Sequence, residues 1–191
     1  RTPLNGVIGT LGLLRDTDLS EEQKRYVETG RYSAENLLDI INDILSFSKL
    51  EAGKDDLEET VFDVRSLVES VGEVISTRAR EKSLALQIDS DDSIPPHLVG
   101  DAGKIRQVLM NLLSNAVKFT ACGEVSLCVE SERKHEDAVW LTFTVSDTGI
   151  GIPEDAIDQL FDPFSQGELS TMRVFGGTGL GLNIAQRLSS A

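Results

Sequence analysis

Positive charge is scarce in this sequence: 18 Lys and Arg stand against 32 Asp and Glu over 191 residues, a formal net charge of −14. A surface this acidic repels nucleic acid and anionic lipid, so both are disfavoured as partners. A polyphosphate would need a local pocket of positive charge and a metal ion. Cysteine is sparse too, with Cys122 and Cys128 alone. No CxxC pair or histidine cluster accompanies them, so neither a disulfide framework nor a zinc site is indicated, and free cytosolic thiols are expected. The two histidines are isolated: His97 follows Pro95-Pro96, and His135 sits in a charged stretch. Each reads as an ordinary surface residue. No run reaches the ~18 apolar residues of a membrane span, and no signal peptide opens the chain. What remains is a soluble, cytoplasmic segment, compatible with a membrane-anchored parent, 40% hydrophobic and long enough for one medium domain or two small ones.

Residues 1–54 are expected to form a helical hairpin. Leu4, Val7, Ile8, Leu11 and Leu14 recur at helical spacing. Asp16-Thr17-Asp18 interrupts them, and Ser20 with Gln23 has the form of a capping box for a second helix. That helix carries Ala34, Leu37, Leu38, Ile41, Ile44, Leu45 and Phe47, and Gly53 is a natural stop. Two helices cannot enclose a core, so a second copy of the hairpin is expected to complete a four-helix bundle. Residues 55–191 alternate instead. Asp63 and Asp101 can each cap a helix, reaching about Lys82 and Lys118. Leu84–Ile88, Val125–Val129 and Val139–Val145 read as strands, with Ser131–Asp137 as a polar connection and Ser93–Gly100 as a loop. Helices are expected again over Pro153–Leu160 and from Leu180, and the polar span Asp162–Gly179 is expected to be mobile. The fold class is α+β: a hairpin followed by an α/β sandwich with helices on one face of a mixed sheet.

Three segments carry chemistry. On the helix from Asp101, residues Asn111, Asn115 and Lys118 fall at i, i+4 and i+7 and share a face. The stripe Ile105, Val108, Leu109, Leu112 and Val117 is apolar and suited to pack on the sheet. Amide oxygens suit Mg²⁺, a hard ion that keeps several waters, and Lys118 would offset phosphate charge. A solvated polar face is the alternative reading for this helix taken alone. Next, Asp147-Thr148-Gly149-Ile150-Gly151 follows a strand. A carboxylate there can accept from an exocyclic amine such as that of adenine, and glycine lets backbone approach a flat ring. Third, Gly176-Gly177-Thr178-Gly179-Leu180-Gly181 opens a helix, where free N–H groups favour an anion. It follows no strand, so a dinucleotide-binding motif does not fit.

Taken in order, these segments resemble the boxes of the sensor histidine kinases. Asn111-Leu-Leu-Ser-Asn115-Ala-Val-Lys118-Phe-Thr resembles the N box, and Asp147-Thr-Gly149-Ile-Gly151 the first glycine box. Phe161-Asp-Pro-Phe164 resembles the F box, and Gly177-Thr178-Gly179-Leu180-Gly181-Leu the second glycine box. Arg1-Thr2-Pro3-Leu4-Asn5 resembles the end of the H box, His-Glu-x-Arg-Thr-Pro. The wording around Phe164 and Phe175 is similar to that of hybrid kinases, which carry a receiver domain.

The resemblance implies a Mg-ATP-dependent histidine kinase in two-component signalling, a homodimer whose phosphoryl group passes to a receiver aspartate. It implies Asn115 as Mg²⁺ ligand with Asn111 nearby, Lys118 and Arg173 at phosphate, and Asp147 at adenine. Phe161 and Phe164 would anchor a lid whose end, Gly177, Thr178, Gly179, Leu180 and Gly181, folds over the phosphates. The phospho-accepting histidine would lie three residues before Arg1, outside this chain, so the chain alone is not expected to autophosphorylate. Thr2 takes the position that assists a receiver phosphatase reaction. A closing pair of strands would follow Ala191. ATP hydrolases of the same superfamily place a glutamate where this chain has Asn111, and Gln107 is no base either, which favours kinase over hydrolase. A non-catalytic nucleotide-sensing dimerisation module is the other alternative, set against the complete N and glycine boxes.

Overall fold

The computed structural model describes residues 2–51, 57–135, 138–163 and 179–189, with backbone alone for 133–135. Two helices open it, α1 (Thr2–Arg15) and α2 (Glu21–Glu51), packed as a hairpin. The Ser20–Gln23 capping box forms reciprocally: Ser20 N donates to Gln23 Oε1 at 2.9 Å, and Gln23 N donates to Ser20 Oγ at 3.3 Å. The helices meet at Gly30, where an added Cβ would stand 3.4 Å from Leu11 Cδ1. Of the described hairpin residues, Val27 and Ala34 are the buried apolar ones, whereas Val7, Leu13, Leu14, Leu37, Ile44 and Leu45 stay exposed. No described helix is long and apolar enough to cross a membrane.

Beyond the hairpin follow β1 (Thr60–Phe62), α3 (Val64–Glu81), β2 (Ala85–Ser90), β3 (Leu98–Gly100), α4 (Ala102–Phe119), β4 (Glu124–His135) and β5 (Ala138–Asp147). A single turn, α5 (Glu154–Ile157), and the helix α6 (Gly181–Ser189) complete the described elements. The main sheet is mixed, ordered β2-β4-β5, with β2 parallel and β5 antiparallel to β4. Val125, Leu127 and Val129 of β4 are fully buried against Val68, Val71 and Ile75 of α3 and Leu109 and Leu113 of α4. Alternation explains the one-sided packing: successive side chains of a strand point to opposite faces. Asp63 caps α3, its Oδ1 accepting from Arg65 N at 2.8 Å, and Asp101 caps α4, accepting from Lys104 N at 2.9 Å.

Four details differ from the sequence reading. The loop Ser93–Gly100 ends in β3, which pairs antiparallel with β1, Val61 opposite Val99. Both strands are three residues long and expose those valines, 70% and 68%, so neither makes a buried apolar run. Second, the connection Ser131–Asp137 is largely strand, because β4 and β5 stay in register out to Arg133 opposite Val139. Third, the helix expected over Pro153–Leu160 is one turn, since its cap position, Pro153, offers no side-chain hydrogen bond. Finally, the buried stripe of α4 is Leu109, Leu113, Ala116 and Val117; Ile105, Val108 and Leu112 are half-buried. The expectation of mobility over Asp162–Gly179 falls mostly outside the described residues.

Candidate functional site

The polar face of α4 meets the start of α6. Asn111 Nδ2 donates to Gly181 O at 3.1 Å, joining residues 70 positions apart. A Cβ on Gly181 would lie 3.8 Å from Asn111 Cγ, which is ordinary contact. One turn on, Asn115 is half-buried, and its side chain makes no hydrogen bond among the described residues. Lys118 is half-buried as well. Burial, and then the charge of Lys82, push its ammonium below the usual lysine range. Lys82 Nζ donates to Val117 O and Lys118 O, both at 2.8 Å, and so ties a cation to the C-terminal end of α4.

The strand-end loop lies against the same end of α4. Asp147, opposite Val125 in the sheet, accepts from Gly149 N through Oδ1 at 2.8 Å. Its Oδ2 remains an acceptor for a ligand. Thr148 Oγ1 accepts from Glu124 N at 3.0 Å. The space for Thr148 comes from Gly123, where φ is +112° and a Cβ would fall 2.2 Å from that hydroxyl. At Gly149 a Cβ would fall 2.6 Å from Phe119 O, so the glycine lets the loop press on the end of α4. Ile150 N donates to the same carbonyl at 3.4 Å. Gly151 has nothing within 4 Å of a Cβ but takes φ +68°, a conformation that favours glycine.

Near α6, two features were not anticipated. Asn183 is buried, at 5% exposure, and its Nδ2 donates to Phe161 O at 2.6 Å, while its Oδ1 has no partner among the described residues. Thr120, fully buried at the end of α4, has a hydroxyl with no partner among the described residues. A buried polar side chain leaves no periodic trace in sequence; the signal available was Asn at an otherwise apolar turn, Leu182-Asn183-Ile184-Ala185. Phe161 itself is 41% exposed. Gly179 takes φ +69°, and Leu180 is fully buried. Phe164, Arg173, Gly177 and Thr178 lie outside the described residues. Thr2 is exposed on α1 and is joined to none of these elements by a described hydrogen bond. At the far end of α6, Arg187 pairs with Glu51 of α2 and stacks 5.2 Å from the Phe47 ring centroid.

These residues suit a metal-bound polyphosphate. The first hydrogen bond of α6 runs from Ile184 N to Leu180 O at 2.8 Å, so the N–H groups before it are donors for an anion. Asn115 offers an amide oxygen that no donor among the described residues claims, a hard ligand of the kind Mg²⁺ takes alongside phosphate and water. Lys118, disfavoured as a cation where it sits, gains from any anion placed beside it. Among the described residues no group of three or more His, Cys, Asp or Glu stands ready to cage a metal.

The fold is thus two-part, a helical hairpin joined to an α/β domain with a mixed sheet. Residues 1–53 match the His Kinase A (phospho-acceptor) domain, and residues 100–191 match the histidine kinase-, DNA gyrase B-, and HSP90-like ATPase domain. With these two matches accounting for more than half of its length, the chain belongs to the histidine kinase family. It is 44% identical over 194 residues to hybrid signal transduction histidine kinase A of Dictyostelium discoideum, covering 98% of this chain and 9% of that protein. To signal transduction histidine-protein kinase BarA of Escherichia coli (strain K12) it is 43% identical over 188 residues, covering 98% of this chain and 20% of that protein. The chain thus spans a fifth or less of the length of these relatives. Among solved structures it resembles full-length ShkA in complex with AMPPNP, with a TM-score of 0.73 and 38% identity over 100% of this chain and 38% of that one.

Proposed function

We propose that this chain is the catalytic core of a hybrid-type sensor histidine kinase working in the cytoplasm. It binds Mg-ATP and directs the γ-phosphoryl group to a histidine, for relay to an aspartate of a receiver domain. The observation that carries the reading is the Asn111–Gly181 hydrogen bond, because it joins the amide-and-lysine face of α4 to the anion-favouring start of α6. In this scheme Asp147 Oδ2 accepts from the adenine amine, and Gly149 and Gly151 shape the loop beneath the base. Lys118 and the α6 N–H groups bind phosphate oxygens, with Arg173, Gly177 and Thr178 as further contacts and Phe161 and Phe164 as anchors of the span between. Asn115, with Asn111 beside it, would hold Mg²⁺, which supplies charge neutralisation between the terminal phosphates. In the transfer a histidine nitrogen forms the N–P bond as the O–P bond to ADP breaks, and the nitrogen's proton goes to a neighbouring base. The protein's part is placement and charge.

The hairpin, assigned to residues 1–54, supplies the dimer through its exposed apolar side chains, and 55–191 supply the nucleotide site. Thr2 is placed to assist dephosphorylation of the receiver. Fluorescent ATP-analogue titrations with and without Mg²⁺, on this chain and on Asp147→Ala, test the site. Magnesium-dependent binding that disappears in the variant supports it, and a folded chain that binds nothing sinks it. Extending the chain upstream to include the histidine and following acid-labile phosphate separates kinase from hydrolase, since a hydrolase would release phosphate and leave the protein unlabelled.

A further inference from the structure

Asn183 is a polar side chain in the wrong place for stability alone. It lies 5% exposed between Leu182, half-buried, and Ile184, fully buried. An apolar residue there would avoid the desolvated Oδ1, which has no partner among the described residues. What the amide does achieve is a 2.6 Å hydrogen bond from Nδ2 to Phe161 O, across 22 positions. That bond fixes which way the amide points, since a carbonyl can only accept. Two positions earlier, Gly181 O accepts from Asn111 at 3.1 Å. The backbone at Phe161, the start of α6 and the polar face of α4 are therefore strung on consecutive amide hydrogen bonds.

We infer that Asn183 is a positioning residue: by clamping the Phe161 carbonyl to α6, it sets the chain leaving α5 against the phosphate-facing start of α6. This rests on the nucleotide reading of that face. Among the described residues, few other contacts hold the clamped stretch. α5 is one turn without a side-chain cap, and the turns after it are closed by Gln159 N to Ala156 O, Leu160 N to Ile157 O and Asp162 N to Gln159 O, at 3.2, 3.2 and 3.1 Å. Gln159 and Asp162 are exposed and Leu160 is half-buried.

The test uses the whole chain and Asn183→Leu, which keeps the number and branching of the side-chain heavy atoms, removes the orphaned acceptor and removes the clamp. A residue of merely structural value would leave this variant as stable as the parent, or more so, with unchanged binding. Positioning instead requires faster amide exchange at Gln159, Leu160 and Asp162, with Ile184 unaffected. It also requires magnesium-dependent affinity for a fluorescent ATP analogue to weaken by about tenfold, the scale of one lost buried hydrogen bond. Asn183→Asp supplies the rescue: its carboxyl can donate to Phe161 O only when protonated, so protection at those three amides, taken relative to the intrinsic exchange rate at each pH, should rise as pH falls in Asn183→Asp and stay flat in Asn183→Leu. Unchanged exchange and unchanged affinity in Asn183→Leu overturn the inference. A folded parent chain that binds no nucleotide overturns the functional role and the nucleotide reading together, whereas a parent that binds and a variant that binds equally well overturns the positioning role alone.

Discussion

Replacing Gly149 by alanine separates crowding from backbone conformation as the reason for glycine in the strand-end loop. Its φ is not in the left-handed region, so alanine costs nothing there by conformation; the obstacle is space. The new Cβ would lie 2.6 Å from Phe119 O, 3.0 Å from Phe119 C and 2.8 Å from Asp147 Oδ1, and contacts under 3.0 Å are essentially never adopted. Two of the three atoms are backbone at the end of α4, which is anchored by Lys82 and by Thr120 N to Ala116 O at 3.1 Å. The loop must therefore yield, and its yielding strains or breaks Gly149 N to Asp147 Oδ1 and Ile150 N to Phe119 O. Overpacking of this kind costs about 1–3 kcal/mol, and one lost hydrogen bond adds about 1 kcal/mol. Asp147 moves with the loop, so nucleotide affinity should fall by about tenfold to a hundredfold, at roughly 1.4 kcal/mol per factor of ten. Urea unfolding followed by circular dichroism reads the first quantity and analogue titration the second. Gly151→Ala is the comparison: it meets no atom within 4 Å but bears φ +68°, so its cost should be confined to about 1 kcal/mol of conformation. If Gly149→Ala matches the parent in both assays, or is no worse than Gly151→Ala, the crowding argument is wrong.

Other substitutions follow from single contacts. Lys118→Met should show opposed signs: stability at neutral pH rises or holds, because a cation disfavoured by burial and by Lys82 is removed, while analogue affinity drops about tenfold or more. Leu113→Ala, at a fully buried position, should cost about 2–5 kcal/mol in urea unfolding. Asp101→Ala removes a cap that accepts from Lys104 N at 2.9 Å and from Glu58 N at 3.1 Å, and should cost about 1 kcal/mol. The pH dependence at Asp101 has a fixed sign. Burial opposes its ionisation, but the N–H donors of Lys104 and Glu58 and the Lys104 charge prevail, and its carboxyl titrates below the usual range. Its contribution is therefore full above about pH 4 and fades as pH falls through the lowered value, so Asp101→Asn should flatten part of the acid limb of a stability-against-pH curve.

Helix starts were the most legible part of the fold. Ser20, Asp63 and Asp101 each announce a cap by residue type and position, and each accepts the hydrogen bond its chemistry implies. The polar face of α4 was legible for the same local reason, since seven residues fix the directions of Asn111, Asn115 and Lys118. β1 and β3 were not, because each is three residues long and gains its strand character from the other, some 40 positions away. Nor was Asn183, whose partner is a backbone carbonyl that sequence cannot display. That Asn111 should reach Gly181 was likewise hidden: both belong to recognisable motifs, but their contact is made by α4 and α6 packing side by side.

The Arg187 contact makes α6 a lever. It has nine residues, hence a length of about 13 Å, and is gripped at one end by Glu51 and Phe47 of α2 and at the other by Asn111. A tilt of about 10° pivoting on Arg187 would swing Gly181, about 9 Å away along the axis, through about 1.6 Å. A 3.1 Å hydrogen bond does not survive such a stretch. A small rotation of α2 carried through Arg187 would therefore be felt as the loss of the one hydrogen bond that ties the start of α6 to α4.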